Sequence, residues 1–302
     1  PCRRHCQGRK IPPIMTEKVF WGIGRSAQYS PNSIERDAAI LERVAVRLQA
    51  AGHKVQTCNE DQWPPAAFDA KHCAAVFSMA RHPEVLRALN VLALQEVRVV
   101  NVPAALLEND RGRQTLRFQQ AGVPQPESLL CETQAAPEVV DAALRRLGLP
   151  LWVKRPDACA QSAADVSFAA DVAALRRCLS DFSQRGIPRA LLMAHCEGDV
   201  VKFYGVGGTG FFHVVHPTSP GGFSKYGLEV HNGPSHGYAF DAEALQAAAE
   251  QASQTTGIAV YGGDAIVRPD GRFAIIDFND WPSFSACVDA AATAIAQLLT
   301  AS

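Results

Sequence analysis

The chain has 302 residues, 47% of them apolar and 20% charged, with a formal net charge of −1. That length suffices for two or three compact subdomains, and the near-neutral balance argues against a general nucleic-acid or membrane-surface binder. No apolar run reaches the length of a membrane span, and nine scattered cysteines without paired spacing predict reduced thiols, as in a cytoplasmic protein.

Residues 1–14 are basic and lack an apolar stretch, so they do not read as a secretory signal. They are expected to be a disordered extension, with the fold starting at Met15. Cys2, His5 and Cys6 lie close together there, but no second ligand pair completes a zinc site. Residues 18–23 read as a first strand. A helix follows over residues 32–51, capped by Asn32 and ended by Gly52, with Ile34, Ala38, Leu41, Ala45 and Leu48 as its apolar stripe. Strands over residues 53–58, 74–79 and 97–102, with a helix opened by Pro83, continue the alternation. This pattern predicts a parallel sheet with helices on both faces.

Two strand ends in this unit carry polar residues. "WGIGRSA" contains Gly22-x-Gly24-x-x-Ala27, a spacing seen in dinucleotide folds. The helix after it is delayed by "QYSPNS", and Glu60 and Asp61 fall late for a ribose contact. The preferred reading is a glycine turn at a strand's C-terminal end, where open α/β sheets bind ligands; Arg25 is then a candidate substrate contact, although a solvated loop arginine is the commoner case. "VFSMARHP" places Ser78 and Arg81 at a second such end, facing the same crevice or merely starting a helix.

From residue 108 the pattern changes. A helix over residues 110–121 leads into "AGVPQPES", a proline-marked linker. Short strands over residues 128–131, 151–154, 166–168 and 191–194, with a helix over residues 170–179, predict a small α+β unit. The last third holds two hairpins, a helix over residues 241–255 and an Ala-rich helix from residue 288. Lys202 lies in an apolar strand, where an unpaired lysine is costly, so it is expected to meet phosphate or substrate rather than snorkel. "GVGGTGFF" reads as a hairpin turn. "HPTSPGGFSKYG" reads as a mobile loop offering Lys225. His213, His216, His231 and His236 are too irregularly spaced for a metal site.

The stretch "VYGGDAIVRPDGRFAIIDFNDWPSF" is the most informative. Asp270-Gly271 between two apolar runs is a hairpin signal. If those two residues are the loop, Ile266 pairs with Ile275 and Asp264 with Asp277, and Asn279 shares their face. A three-residue bulged loop would shift this register by one. Like charges opposed in a sheet are unfavourable unless neutralised, and a hard divalent cation does so through carboxylate and amide oxygens. The alternative is an exposed strand end whose acids cap backbone groups.

These residues resemble the C-terminal metal motif of the ATP-grasp superfamily, in which an acid on one strand and an acid-x-Asn on the next hold Mg²⁺ against ATP. Three further stretches agree in order. "NDRGRQTLRFQQAGVPQP" is similar to the family's Asp-Lys helix, with Arg111 in the lysine's place. "LPLWVKRP" is similar to the strand whose lysine, here Lys154, contacts nucleotide phosphates. "LLMAHCEGDVVKFYGVG" is similar to the strand and adenine hinge, which makes Met193, His195, Glu197 and Lys202 nucleotide or catalytic contacts. The sequence departs from the family in having no glycine in "RPDACAQSAAD" and in placing Ala194 where an acid or Gln is common.

The resemblance implies an ATP-grasp fold, α/β and α+β, with a Rossmann-like pre-ATP-grasp domain. Its expected divisions are residues 15–105, a central lid over residues 106–195 and a C-terminal subdomain over residues 196–302. ATP would lie between the last two, with Mg²⁺ on Asp264, Asp277 and Asn279. The implied activity is an ADP-forming carboxylate–amine ligase acting through an acyl-phosphate on a small-molecule acceptor. The alternative is a small-molecule kinase, because "WPSF" and the Asp-Arg pair resemble the inositol trisphosphate kinase branch; Arg25, Arg81, Lys202 and Lys225 would then surround a polyphosphate. A nucleotide-binding module without chemistry is a third reading. Dimers are common in the family.

Overall fold

The computed structural model describes residues 18–30, 33–157, 163–216, 231–232 and 234–301. The expected extension over residues 1–14, the Asn32 cap, Lys225 and residues 158–162 of the glycine-free loop after Lys154 lie outside the described residues.

The first sheet is parallel, in the order β2-β1-β3-β4, from β1 (Val19–Gly24), β2 (Lys54–Asn59), β3 (Cys73–Ser78) and β4 (Arg98–Val100). Strand alternation sends Phe20, Ala75 and Phe77 to one face, against α1 (Ile34–Ala50). Trp21, Ile23 and Val76 go to the other face, against α2 (Pro83–Leu94). Gly22 answers to packing: a Cβ there would lie 2.6 Å from the Phe77 ring. The expected strand over residues 97–102 is shorter, because Pro103 opens a short helix, α3 (Pro103–Glu108).

The second sheet is antiparallel, β5-β8-β6-β7, from β5 (Ser128–Glu132), β6 (Leu151–Lys154), β7 (Val166–Ala169) and β8 (Arg189–Ala194). Leu151, Val153, Ala190 and Leu192 pack under α5 (Pro137–Leu147) and α6 (Val172–Gln184). Trp152 and Lys154 therefore face the opposite way.

The third sheet is antiparallel, β10-β9-β11-β12, from β9 (Asp199–Val206), β10 (Phe211–Val215), β11 (Val260–Val267) and β12 (Phe273–Asp280). Phe203, Tyr261 and Phe278 bury one face with α4 (Arg111–Ala121) and α7 (Ala242–Thr256). On the other face Val206 and Val260 join a core with α8 (Val288–Thr300), whose small residues allow close packing on α1.

The β11–β12 turn corrects the two-residue expectation. Arg268 N–H donates to the Arg272 carbonyl, so Pro269, Asp270 and Gly271 form a three-residue loop with Gly271 at φ 77°. Ile266 consequently faces Ala274, not Ile275. The one-residue shift is undone beyond Ala265, where Ile276 has no partner and bulges. Asp264 and Asp277 end up opposite each other, as the simpler register also required.

Candidate functional site

The outer faces of the second and third sheets enclose a cavity of about 780 Å³, closed at one end by the ends of β1 and β3. Its apolar end lies between Trp152 and Met193 on one sheet and Val200 and Ile266 on the other. Its polar end is a row of side chains across three strands. Lys202 faces Asp264, and Asp264 faces Asp277, with Asn279 two residues on along β12. Lys202 Nζ donates to Asp264 Oδ1 at 3.0 Å, and Asn279 Nδ2 to Asp277 Oδ2 at 3.1 Å.

Two cations complete this end from outside the third sheet. Lys154 is 6% exposed, and its Nζ donates to the Ile276 carbonyl at 2.9 Å. That carbonyl belongs to the bulged residue, so the irregularity in β12 also supplies the lysine's anchor. Burial pulls the Lys154 pKa down to about 8, against the opposing pull of Asp277. Arg111, at the first turn of α4, donates to the Arg155 carbonyl at 3.0 Å and lies 3.7 Å from Asp277. Burial alone would raise the Asp277 carboxyl; Arg111 and Lys154, the Asn279 amide and Lys202 outweigh it and hold the group below its ordinary range.

No protein-family profile and no curated protein matches the sequence. Solved structures do match the backbone. A RimK-domain ATP-grasp protein from Sphaerobacter thermophilus superposes with a TM-score of 0.65 at 20% identity, over 94% of this chain and 100% of that one. D-alanyl-alanine synthetase A from Vibrio cholerae gives 0.66 at 12% identity, over 95% and 98%. A D-alanine–D-alanine ligase from Bacillus anthracis, complexed with ATP, gives 0.65 at 12% identity, over 92% and 94%. The chain has the ATP-grasp fold.

The remaining candidates take different places in that ATP-grasp framework. Met193 lines the apolar end, whereas His195 and Glu197 are not among the lining residues. His195 Nδ1 instead accepts from the Trp152 indole at 3.2 Å, and its backbone N–H donates to the Pro150 carbonyl. Ser78 is 2% exposed and not among the lining residues; its hydroxyl oxygen accepts from the Ala80 backbone N–H. Arg25 and Arg81 both line the cavity. The Arg25 guanidinium donates to Asp37, to the Met79 carbonyl and to the Trp281 carbonyl. Arg81 reaches Asp280 Oδ1 at 2.7 Å.

Sequence reasoning passed over three residues here. Glu60, 2% exposed, accepts backbone N–H bonds from Ser26, Arg81 and His82. A carboxylate thus occupies the donors at these strand ends, which leaves no room for the dinucleotide reading. Asp280 alternates away from Asn279 and was given no role, yet it lines the cavity and pairs with Arg81. Asn109, just after α3, carried no signal. Among the described residues no group of three His, Cys, Asp or Glu side chains forms a metal site; the oxygen set here is two carboxylates and an amide.

Proposed function

We propose that the protein is an ATP- and Mg²⁺-dependent, ADP-forming ligase that activates a carboxylate as an acyl-phosphate and joins it to an amine. The observation that carries this reading is the row of Lys202, Asp264, Asp277 and Asn279 facing Lys154 and Arg111 across one cavity. The apolar slot between Trp152, Met193, Val200 and Ile266 takes the base. Lys154 and Arg111 hold the phosphates. Asp264, Asp277 and Asn279 present hard oxygen donors in small number, which suits Mg²⁺ sharing its sphere with phosphate oxygens and water. Held by these three side chains, Mg²⁺ would supply neutralisation of phosphate charge. Lys202, paired to Asp264, holds that carboxylate in place and stands beside the same charge.

The charge balance favours a ligase over a polyphosphate kinase. Among the described residues, Arg25, Arg81, Arg111, Lys154 and Lys202 line the cavity, and so do Asp110, Asp157, Asp264, Asp277 and Asp280. A polyphosphate acceptor beside ATP calls for an excess of cations, whereas a carboxylate and an amine do not. The synthetase and ligase names of the structural neighbours point the same way.

Phosphorus NMR of products formed from Mg-ATP and a pool of amino acids and small carboxylates tests the reading. ADP and free phosphate appearing together are expected. ADP with a new phosphate ester and no free phosphate overturns it in favour of a kinase. Asp277→Ala is expected to lower turnover by about 100-fold or more, and retained Mg-ATP turnover removes the metal assignment.

A further inference from the structure

A side cavity of about 40 Å³ opens beside the polar end, lined by Arg81, Asn109, Arg111, Asp277, Asn279 and Asp280, with Gln114 and Phe278 behind them. Two oxygens on its walls are buried without a hydrogen-bond partner among the described residues: Asn109 Oδ1 and Asp280 Oδ2. Asp280 is 6% exposed, so its second carboxylate oxygen is desolvated and unmatched. Such a group is destabilising, the more so when charged, unless something supplies a donor.

The donors on these walls are turned elsewhere. Arg81 serves Asp280 Oδ1 and the Asp280 carbonyl. Arg111 donates to the Arg155 carbonyl at 3.0 Å and lies 3.7 Å from Asp277. Gln114 Nε2 serves the Phe278 carbonyl at 3.0 Å. The pocket therefore presents acceptors to its occupant. An ammonium head brings three or more donors and no acceptor, which matches the two unmet oxygens.

We propose that the pocket between Asn109 and Asp280 is a binding subsite for a protonated primary amine or ammonium, held by hydrogen bonds to Asn109 Oδ1 and Asp280 Oδ2. It deepens the ligase reading and rests on it for its meaning: the subsite gathers the second substrate's nitrogen next to the residues assigned to metal and phosphate. The main cavity accommodates the rest of that substrate.

Thermal melts of the full chain in chloride salts at matched ionic strength test the subsite without any turnover. At 100 mM, methylammonium is expected to raise the melting temperature by about 2 °C over tetramethylammonium, which is too bulky and has no N–H to donate; potassium is expected to give no such rise. Asn109→Asp adds an anionic oxygen to the pocket and enlarges the shift; Asp280→Asn removes it. Should Asp280→Asn not fold, Asn109→Asp and Asn109→Leu decide, the first increasing and the second abolishing the shift. Equal melting in ammonium, methylammonium, tetramethylammonium and potassium chloride, a potassium effect matching that of ammonium and methylammonium, or an unchanged shift in the Asn109 variants overturns the subsite. Stabilisation by ammonium but not methylammonium assigns it to ammonia itself; stabilisation by both assigns it to an amine-bearing substrate. If phosphorus NMR finds no ADP, the ligase reading falls while the melts still decide the subsite.

Discussion

Lys154 is buried as a cation, and its ordinary ammonium pKa falls to about 8 in the fold. The sign of the consequence is fixed. A lysine with a lowered folded pKa weakens the folded state where it must stay charged, below about pH 8. That penalty disappears as pH rises from about 8 towards the unfolded value of roughly 10.5. Under the proposed function, nucleotide phosphates would reverse the effect by giving the ammonium a partner. Lys154→Met is therefore expected to raise the melting temperature of the free protein at pH 7 by about 2–4 °C. The same variant loses the stabilisation that Mg-ATP gives the parent. A thermal melt with and without Mg-ATP checks both parts; a variant that melts lower and still responds to nucleotide contradicts the assignment. Nucleotide affinity in the parent should also decline as pH rises past 8, because the phosphate contact needs the protonated lysine.

The hairpin of β11 and β12 sets how far the site was legible at the level of elements. Asp264 opposite Asp277 follows from a period of two, and the structure has that pair. The route to it differs. A three-residue loop moves the strands one step out of register, and the bulge at Ile276 moves them back. Neither irregularity has a plain local signature, since Pro-Asp-Gly fits both loop lengths and Ile276 is as apolar as its neighbours. Lys154 in "LPLWVKRP" came from the family resemblance alone, and the structure sets it on the cavity wall. Asp280 and Asn109 were not readable, because their roles depend on residues far away in sequence. The α3 helix is too short to show a period, whereas the Pro-opened α5 had a stripe in Val140 and Ala143 that went unused. The loop itself yields a prediction. Gly271 sits at φ 77°, and a Cβ there would also approach the Ala239 carbonyl to 3.2 Å. Gly271→Ala should lower stability by about 1–2 kcal/mol, read as a drop in the urea midpoint with an unchanged slope. An unchanged midpoint contradicts the left-handed loop.

At the scale of the molecule, the first sheet and the third are joined by buried side chains as well as by the α1–α8 core. Arg25 links Asp37 and the end of β3 to the Trp281 carbonyl, just after the residues assigned to metal. Asn101, at the end of β4 and 1% exposed, makes a two-way contact with β11. Its Nδ2 donates to the Val260 carbonyl at 2.9 Å, and the Val260 N–H donates to its Oδ1 at 2.7 Å. The amide thus behaves as one more residue of strand, carried by the first sheet and paired to the third. Asn101→Ala leaves the two Val260 groups unequally affected. The carbonyl still accepts from the Trp281 N–H at 3.0 Å, but the Val260 N–H loses its partner in a buried position. One orphaned donor and a small void together cost about 2–3 kcal/mol. Asn101→Asp keeps the acceptor for the Val260 N–H but sets a carboxylate oxygen against the Val260 carbonyl, so it should be at least as damaging despite its near-identical shape. Urea unfolding of the three proteins gives the order: parent most stable, the two variants lower by about 2 kcal/mol or more. Since the contact joins the wall that carries Arg81 to the strand that carries Asp264, Asn101→Ala should also weaken methylammonium stabilisation relative to the parent. A variant that loses stability but keeps the full methylammonium shift would mean that the pocket is held by the third sheet and α3 alone.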